Sequence, residues 1–274
     1  MVNLEAVWDR TSEFVAERRA EVIPIVALLL FVPLALMSNL MPLVGRDMSA
    51  RNIALGVATV ALAIVTIWGH LALTALVLGA RGWKAAARTG AGRLPVAVLV
   101  SLIEMAVLVL AAMPIFVAFA MSGIVPGQTP AGSLPPMDVA TAMFILLYSA
   151  LFAVVGLIVF ARLRLVNAAL VGERRGVSAL IRSLALTRGM TLKLVGLVLL
   201  YLIVSQVAAL AAKMVFGAVL GLLTLGADTV AVATVTTTTL VALVQTGFTA
   251  LATLFTAWLF VAVRDVRETI VELE

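Results

Sequence analysis

An ionisable side chain inside an apolar helix must be paired, hydrated or at work, because stranding a charge in hydrocarbon costs several kcal/mol. His70, Glu104, Arg162, Arg164 and Tyr201 all stand in or beside long apolar blocks of this chain. His70 lies ten residues before the connector that begins at 80, and Glu104 lies ten residues after position 94, where the next block begins. Helical rise puts each about 15 Å from the same boundary, so a His70–Glu104 contact is expected. Position 164 matches position 70 at an offset of 94, so a fourth block reaching further than residue 161 brings Arg162 and Arg164 towards that layer. Tyr201 falls at similar depth on the fifth block. Together these residues form a candidate intramembrane polar pocket, able to hold a lipid phosphate or relay a proton through the imidazole. A purely structural reading stands beside it: a partner neutralises Glu104, the arginines snorkel to the headgroups, and His70 satisfies a backbone carbonyl.

Catalysis is not expected. The chain has one histidine and no cysteine. No carboxylates cluster at metal-ligand spacing, and no Gly-rich phosphate loop carries a lysine. Zinc, two-metal and nucleophile–base chemistry therefore lack their constellations, and no cofactor or metal is expected. The formal net charge of +5 is small and sits beside the apolar blocks. Anionic phospholipid headgroups, rather than nucleic acid, are the expected counter-charge.

The elements that must position these residues are membrane spans. Mean hydropathy is +1.20, and 64% of residues are hydrophobic against 12% charged. Crossing a hydrocarbon core takes about 20 apolar residues as a helix, and six blocks are long enough, at about 22–44, 52–79, 94–122, 139–161, 194–222 and 231–263. They are apolar on every side, whereas barrel strands alternate, so an all-α integral membrane protein of one domain is expected, without room for a soluble domain. The acidic and basic residues between Glu5 and Arg19 do not resemble a cleavable signal.

Of the 19 basic residues, all but Arg46, Arg51 and Lys213 fall on one side of such a bundle. The positive-inside rule then places both termini in the cytoplasm. The Gly/Pro-rich stretch at 122–138 reads as an outer loop.

Three amphipathic helices are expected at the inner interface. Leu4, Val7, Trp8, Thr11, Phe14 and Val15 share one face of residues 1–21, with Trp8 at headgroup depth. The connectors at 80–93 and 165–190 are the other two. In the second, Val177, Leu180, Ile181 and Leu184 share a face opposite Arg175, Ser178, Arg182 and Ser183. Arg81, Lys84, Arg88, Arg93, Arg174, Arg175, Arg182 and Arg188 are the candidate headgroup contacts. Arg81, Gly82, Ala85 and Arg88 match Arg175, Gly176, Ala179 and Arg182, which points to a parallel pseudo-repeat of two hairpins.

Span six carries a threonine stripe, Thr239, Thr246, Thr249, Thr253 and Thr256, read as helix packing or, alternatively, a solute path. Gly217 and Gly221 form one GxxxG, and a kink is expected near 217–226. Lys213 is expected to snorkel outward, with Asp228 as its partner.

The stretch from Arg162 to Leu200, with Ala179, Leu180, Arg182, Ser183, Leu186, Thr187, Arg188 and Gly189, resembles the second connector of the bacterial glycerophosphoryl diester phosphodiesterase membrane-domain family. That resemblance implies six spans behind an interfacial N-terminal helix, in a bacterial inner membrane. The family often has aromatic residues after the serine and after the glycine, where this chain has Leu184 and Met190 or Leu192. Its phosphodiesterase activity resides in a separate soluble barrel that this chain lacks, so the resemblance implies architecture and no catalysis. The expected function is that of a non-catalytic bundle engaging anionic lipids, in envelope homeostasis or as a scaffold for an unidentified protein. The alternative is a transporter or flippase of a lipid or amphipathic solute.

Overall fold

The computed structural model describes residues 3–45, 47, 49–122, 138–223 and 230–272. These residues are mostly helical, with no strand among them. Six stretches are long and apolar enough to span a bilayer: Arg19–Leu43, Ala50–Val77, Trp83–Met121, Val139–Gly172, Thr191–Leu222 and Val232–Val266. The protein is a multi-pass integral membrane protein.

Among the described residues ten α-helices carry the fold. Helix α1 (Leu4–Glu17) is capped by Asn3, whose side chain accepts from the Glu5 amide at 3.0 Å. It buries Val7, Thr11 and Phe14, three residues of its expected apolar face, and leaves Trp8 half exposed. The first span combines α2 (Arg19–Ile25), a π-helical stretch at Val26–Phe31 and α3 (Val32–Leu40). Pro33 cannot donate to the Leu29 carbonyl, and the π stretch lies just ahead of that proline. A Cβ on Gly69 would stand 2.8 Å from that same carbonyl oxygen. Glycine is what allows α4 (Ala50–Val77) to approach this irregular backbone so closely.

Helix α5 (Trp83–Met121) corrects one expectation. The first connector is no separate helix, because its residues form the opening turns of a single 39-residue helix. Pro95 removes a donor from the Ala91 carbonyl, but Ala91 is exposed, so that carbonyl can be satisfied elsewhere. Ala86, Gly90 and Ala97 bury a small-residue face instead. At about 1.5 Å per residue such a helix is nearly 60 Å long, about twice the hydrocarbon thickness, so one end extends beyond it. Glu21 anchors the start, its Oε2 accepting the Gly82 amide at 2.8 Å.

The second connector differs from expectation in another way. Helix α6 (Val139–Leu163) is followed by α7 (Val166–Gly172), whose Val166, Ala168, Ala169, Leu170 and Val171 are buried in the core. A helix whose one polar side chain is Asn167 is drawn into the bundle rather than laid on its surface. Only α8 (Ala179–Leu186) is amphipathic, and it buries Ala179, Ser183 and Leu186 while Ile181 faces outward. The expected repeat is not carried into local structure. Ala179 is buried and its counterpart Ala85 exposed, while Gly82 adopts φ +84° and Gly176 keeps a negative φ.

Helices α9 (Thr191–Leu223) and α10 (Val230–Glu272) complete the bundle. Phe14 meets Trp258 edge-on at 5.9 Å, which joins α1 to the final helix. Buried residues concentrate at this end, in Leu71–Val77, Leu165–Val171 and Leu254–Val263, whereas α6 buries Ala161 alone among its residues.

Candidate functional site

The structure brings part of the expected polar pocket together, with Arg164 beside Tyr201 and within electrostatic reach of His70, while Glu104 and Arg162 have surroundings of their own. His70 Nδ1 lies 2.8 Å from Thr253 Oγ1 on α10. The Thr253 hydroxyl hydrogen is directed to the Thr249 carbonyl at 2.8 Å, so the hydroxyl accepts from His70 and Nδ1 carries the proton. The imidazole thus bonds a side chain rather than the expected backbone carbonyl. Its neighbour Gly69 packs on the π stretch, so the histidine adjoins irregular backbone of a kind often found at functional sites.

Glu104 does not meet His70. It stands half-buried on α5, and no described residue forms a hydrogen bond or ion pair with it. Arg162 has a structural role. Its Nη2 donates to the Leu184 carbonyl at 2.6 Å and its Nε to the Thr187 hydroxyl at 3.3 Å. In return the buried Ser183 hydroxyl donates to the Arg162 carbonyl at 2.6 Å. Ser183, expected on the outer polar face, is therefore an inward anchor that closes the free carbonyl at the end of α6.

Arg164 and Tyr201 do come together. The Arg164 guanidinium lies 4.3 Å from the Phe160 ring centre and 5.6 Å from that of Tyr201. Both Arg164 and Tyr201 line a cavity of about 470 Å³ between α1, α6, α9 and α10, whose other walls include Trp8, Phe248, Phe255 and Thr256. No acceptor for the guanidinium or the tyrosine hydroxyl occurs among the described residues. Trp8, Phe160 and Thr253 were not assigned to the pocket by sequence reasoning, although Phe160 lies four residues before Arg164, one helical turn away.

The expected headgroup contacts also separate. Arg81, Lys84, Arg88, Arg174 and Arg188 are exposed, and Arg93 is half-buried. Lys84 Nζ lies 5.7 Å from the Trp83 ring. Arg175 and Arg182 instead bind Glu173, with Nε–Oε distances of 2.5 and 2.9 Å. Of the threonine stripe, Thr246 and Thr256 bond preceding carbonyls. Thr239 does the same while accepting from Asn39 at 3.3 Å. Lys213 is exposed, and its expected partner Asp228 lies outside the described residues, as do most of the 122–138 loop and the end of the 217–226 stretch.

Among the described residues no cluster of His, Cys, Asp or Glu is placed to hold a metal. No family model, curated protein or solved structure matches the chain.

Proposed function

We propose that this protein is a non-catalytic, multi-pass component of a bacterial cytoplasmic membrane that engages anionic phospholipids of the inner leaflet, with both termini in the cytoplasm. The observation that carries the reading is the set of exposed basic residues Arg81, Lys84, Arg88, Arg174 and Arg188, none of which has an acidic partner among the described residues. Each basic side chain near an anionic surface contributes on the order of 1 kcal/mol to attraction. The likeness of the 162–200 stretch to the phosphodiesterase membrane-domain family supports the same placement. A role in envelope homeostasis, or as a scaffold for a partner protein, follows from a bundle that binds lipid without transforming it.

The test is lipid retention. Purified protein in nanodiscs of mixed phosphatidylglycerol and phosphatidylcholine is expected to retain phosphatidylglycerol in native mass spectra. Enrichment should fall in the triple variant Arg81→Gln, Lys84→Gln, Arg88→Gln. Equal retention of the two lipids by the unaltered protein refutes the reading.

A flippase or transporter is the second reading. It is favoured by the Arg164 cavity and by a half-buried Glu104 without a protein partner.

A further inference from the structure

We propose that the Arg164 cavity is a binding site for a long-chain carboxylate, a single-chain anionic amphiphile whose head meets Arg164 and Tyr201 and whose chain lies between α9 and α10. This site is built separately from the exposed basic rim, so either proposal can fail without the other.

Three observations converge on that ligand. The first is charge. A guanidinium carries five N–H donors and no acceptor, and here it lies over the Phe160 ring and close to that of Tyr201. Its fork of donors matches a carboxylate in a two-pronged hydrogen bond. Tyr201 lines the same cavity. Glu5 is the acid on the cavity wall, and it forms no ion pair with Arg164.

The second observation is the walls. Leu194, Leu197, Val198, Val204, Leu251 and Phe255 line the cavity and offer no hydrogen-bonding side chain. Water filling such a chamber would find few partners and would not neutralise the arginine. An alkyl chain suits the walls.

Size is the third. At about 470 Å³, against the roughly 30 Å³ that one water occupies in the liquid, the cavity has room for an acyl chain. A neighbouring hollow of about 380 Å³ makes the contrast. It is lined by Arg10 and Arg18 together with Glu13 and Glu17, so its walls are far more highly charged and do not suit an alkyl chain.

The experiment uses the full chain in phosphatidylcholine nanodiscs with cis-parinaric acid, a fluorescent long-chain carboxylate, and its methyl ester. Saturable binding of the acid at one per chain is expected, with at least a tenfold loss for the ester. Arg164→Gln should lose at least tenfold as well. Ala252→Phe keeps the arginine but fills the chain path, and the same loss is expected there, so the test survives even if Arg164→Gln fails to fold. Binding should persist in Arg88→Gln/Arg188→Gln, which alters only the rim. Unsaturable partitioning, equal uptake by wild type and Ala252→Phe, or equal binding of acid and ester overturns the assignment. Preferential capture of a diacyl phosphatidylglycerol by the cavity overturns it too.

Discussion

His70 Nδ1 donates to Thr253 Oγ1 at 2.8 Å across the interface of α4 and α10. The threonine is fully committed, since its own hydrogen goes to the Thr249 carbonyl. One hydroxyl therefore fixes the tautomer of the single histidine and ties the second span to the last.

Removing that acceptor should reveal a direct coupling. Thr253→Val keeps shape while leaving the His70 donor unmet. A double-mutant cycle with His70→Ala, read by unfolding in mixed micelles, is expected to give a coupling of about 0.6 kcal/mol and no more than about 1.7, as for other hydrogen bonds between membrane helices. Strict additivity would remove the bond from any account of stability.

Ser183 and Arg162 give a second test, because each satisfies the other's helix end. Ser183→Ala removes a donor in a buried setting and strands the Arg162 carbonyl, with an expected loss of about 1–3 kcal/mol. Ser183→Thr keeps the hydroxyl and should recover part of it. Limited proteolysis of the 173–178 turn is the readout, and unchanged cleavage in Ser183→Ala would show that α8 docks by apolar packing alone.

How far the sequence revealed this arrangement depends on whether the signal was depth or rotation. Uninterrupted apolar runs gave the spans, and the 94-residue offset to His70, with a fourth block longer than its apolar run, brought Arg164 to the level of Tyr201, which it meets. His70 and Glu104 do not meet because α5 already begins at Trp83 and its Gly90 packs on Ala72, which leaves His70 two residues from that level and Glu104 fourteen residues, or about 21 Å of helical rise, beyond it. Rise says nothing of which way a side chain points around its helix. Ser183 was misplaced for a related reason. Polarity assigns a serine to the outer face, and its partner, a carbonyl freed where α6 ends, is 21 residues away in sequence. Charge signalled a break between the first connector and the third apolar block, but α5 runs through both, and membrane helices tolerate a proline such as Pro95 where its freed carbonyl is satisfied elsewhere.

Acid should fray one helix start. Hydrogen bonds from the Thr141 side chain and amide hold the Asp138 carboxyl below its ordinary value of 3.8, with the amide bond at 3.1 Å. A lowered carboxylate pKa means the cap is fully present above the ordinary value and is lost as pH falls through the lowered one. The protection of the amides in the first turn of α6, taken relative to their intrinsic exchange rate at each pH, is therefore expected to be constant from neutral pH down to about 4 and to fall below it. Asp138→Asn, which caps without titrating, should remove the acid-induced step. Persistence of the step in that variant would assign it to another group.

Two glycines of α5 should respond in opposite directions to the same change. A Cβ at Gly90 would lie 2.9 Å from the Ala72 backbone nitrogen and 3.2 Å from its Cα. Backbone cannot swing aside like a flexible side chain, so Gly90→Ala forces α4 and α5 apart, and overpacking of this kind costs about 1–3 kcal/mol. At Gly92 a Cβ meets nothing within 4 Å. There the helix gains what alanine offers over glycine, up to about 1 kcal/mol. Thermal unfolding of both variants in one detergent separates packing from propensity, because propensity alone raises stability in each. If Gly90→Ala proves as stabilising as Gly92→Ala, the two helices do not cross at Ala72, and the register that keeps Glu104 away from His70 loses its physical cause.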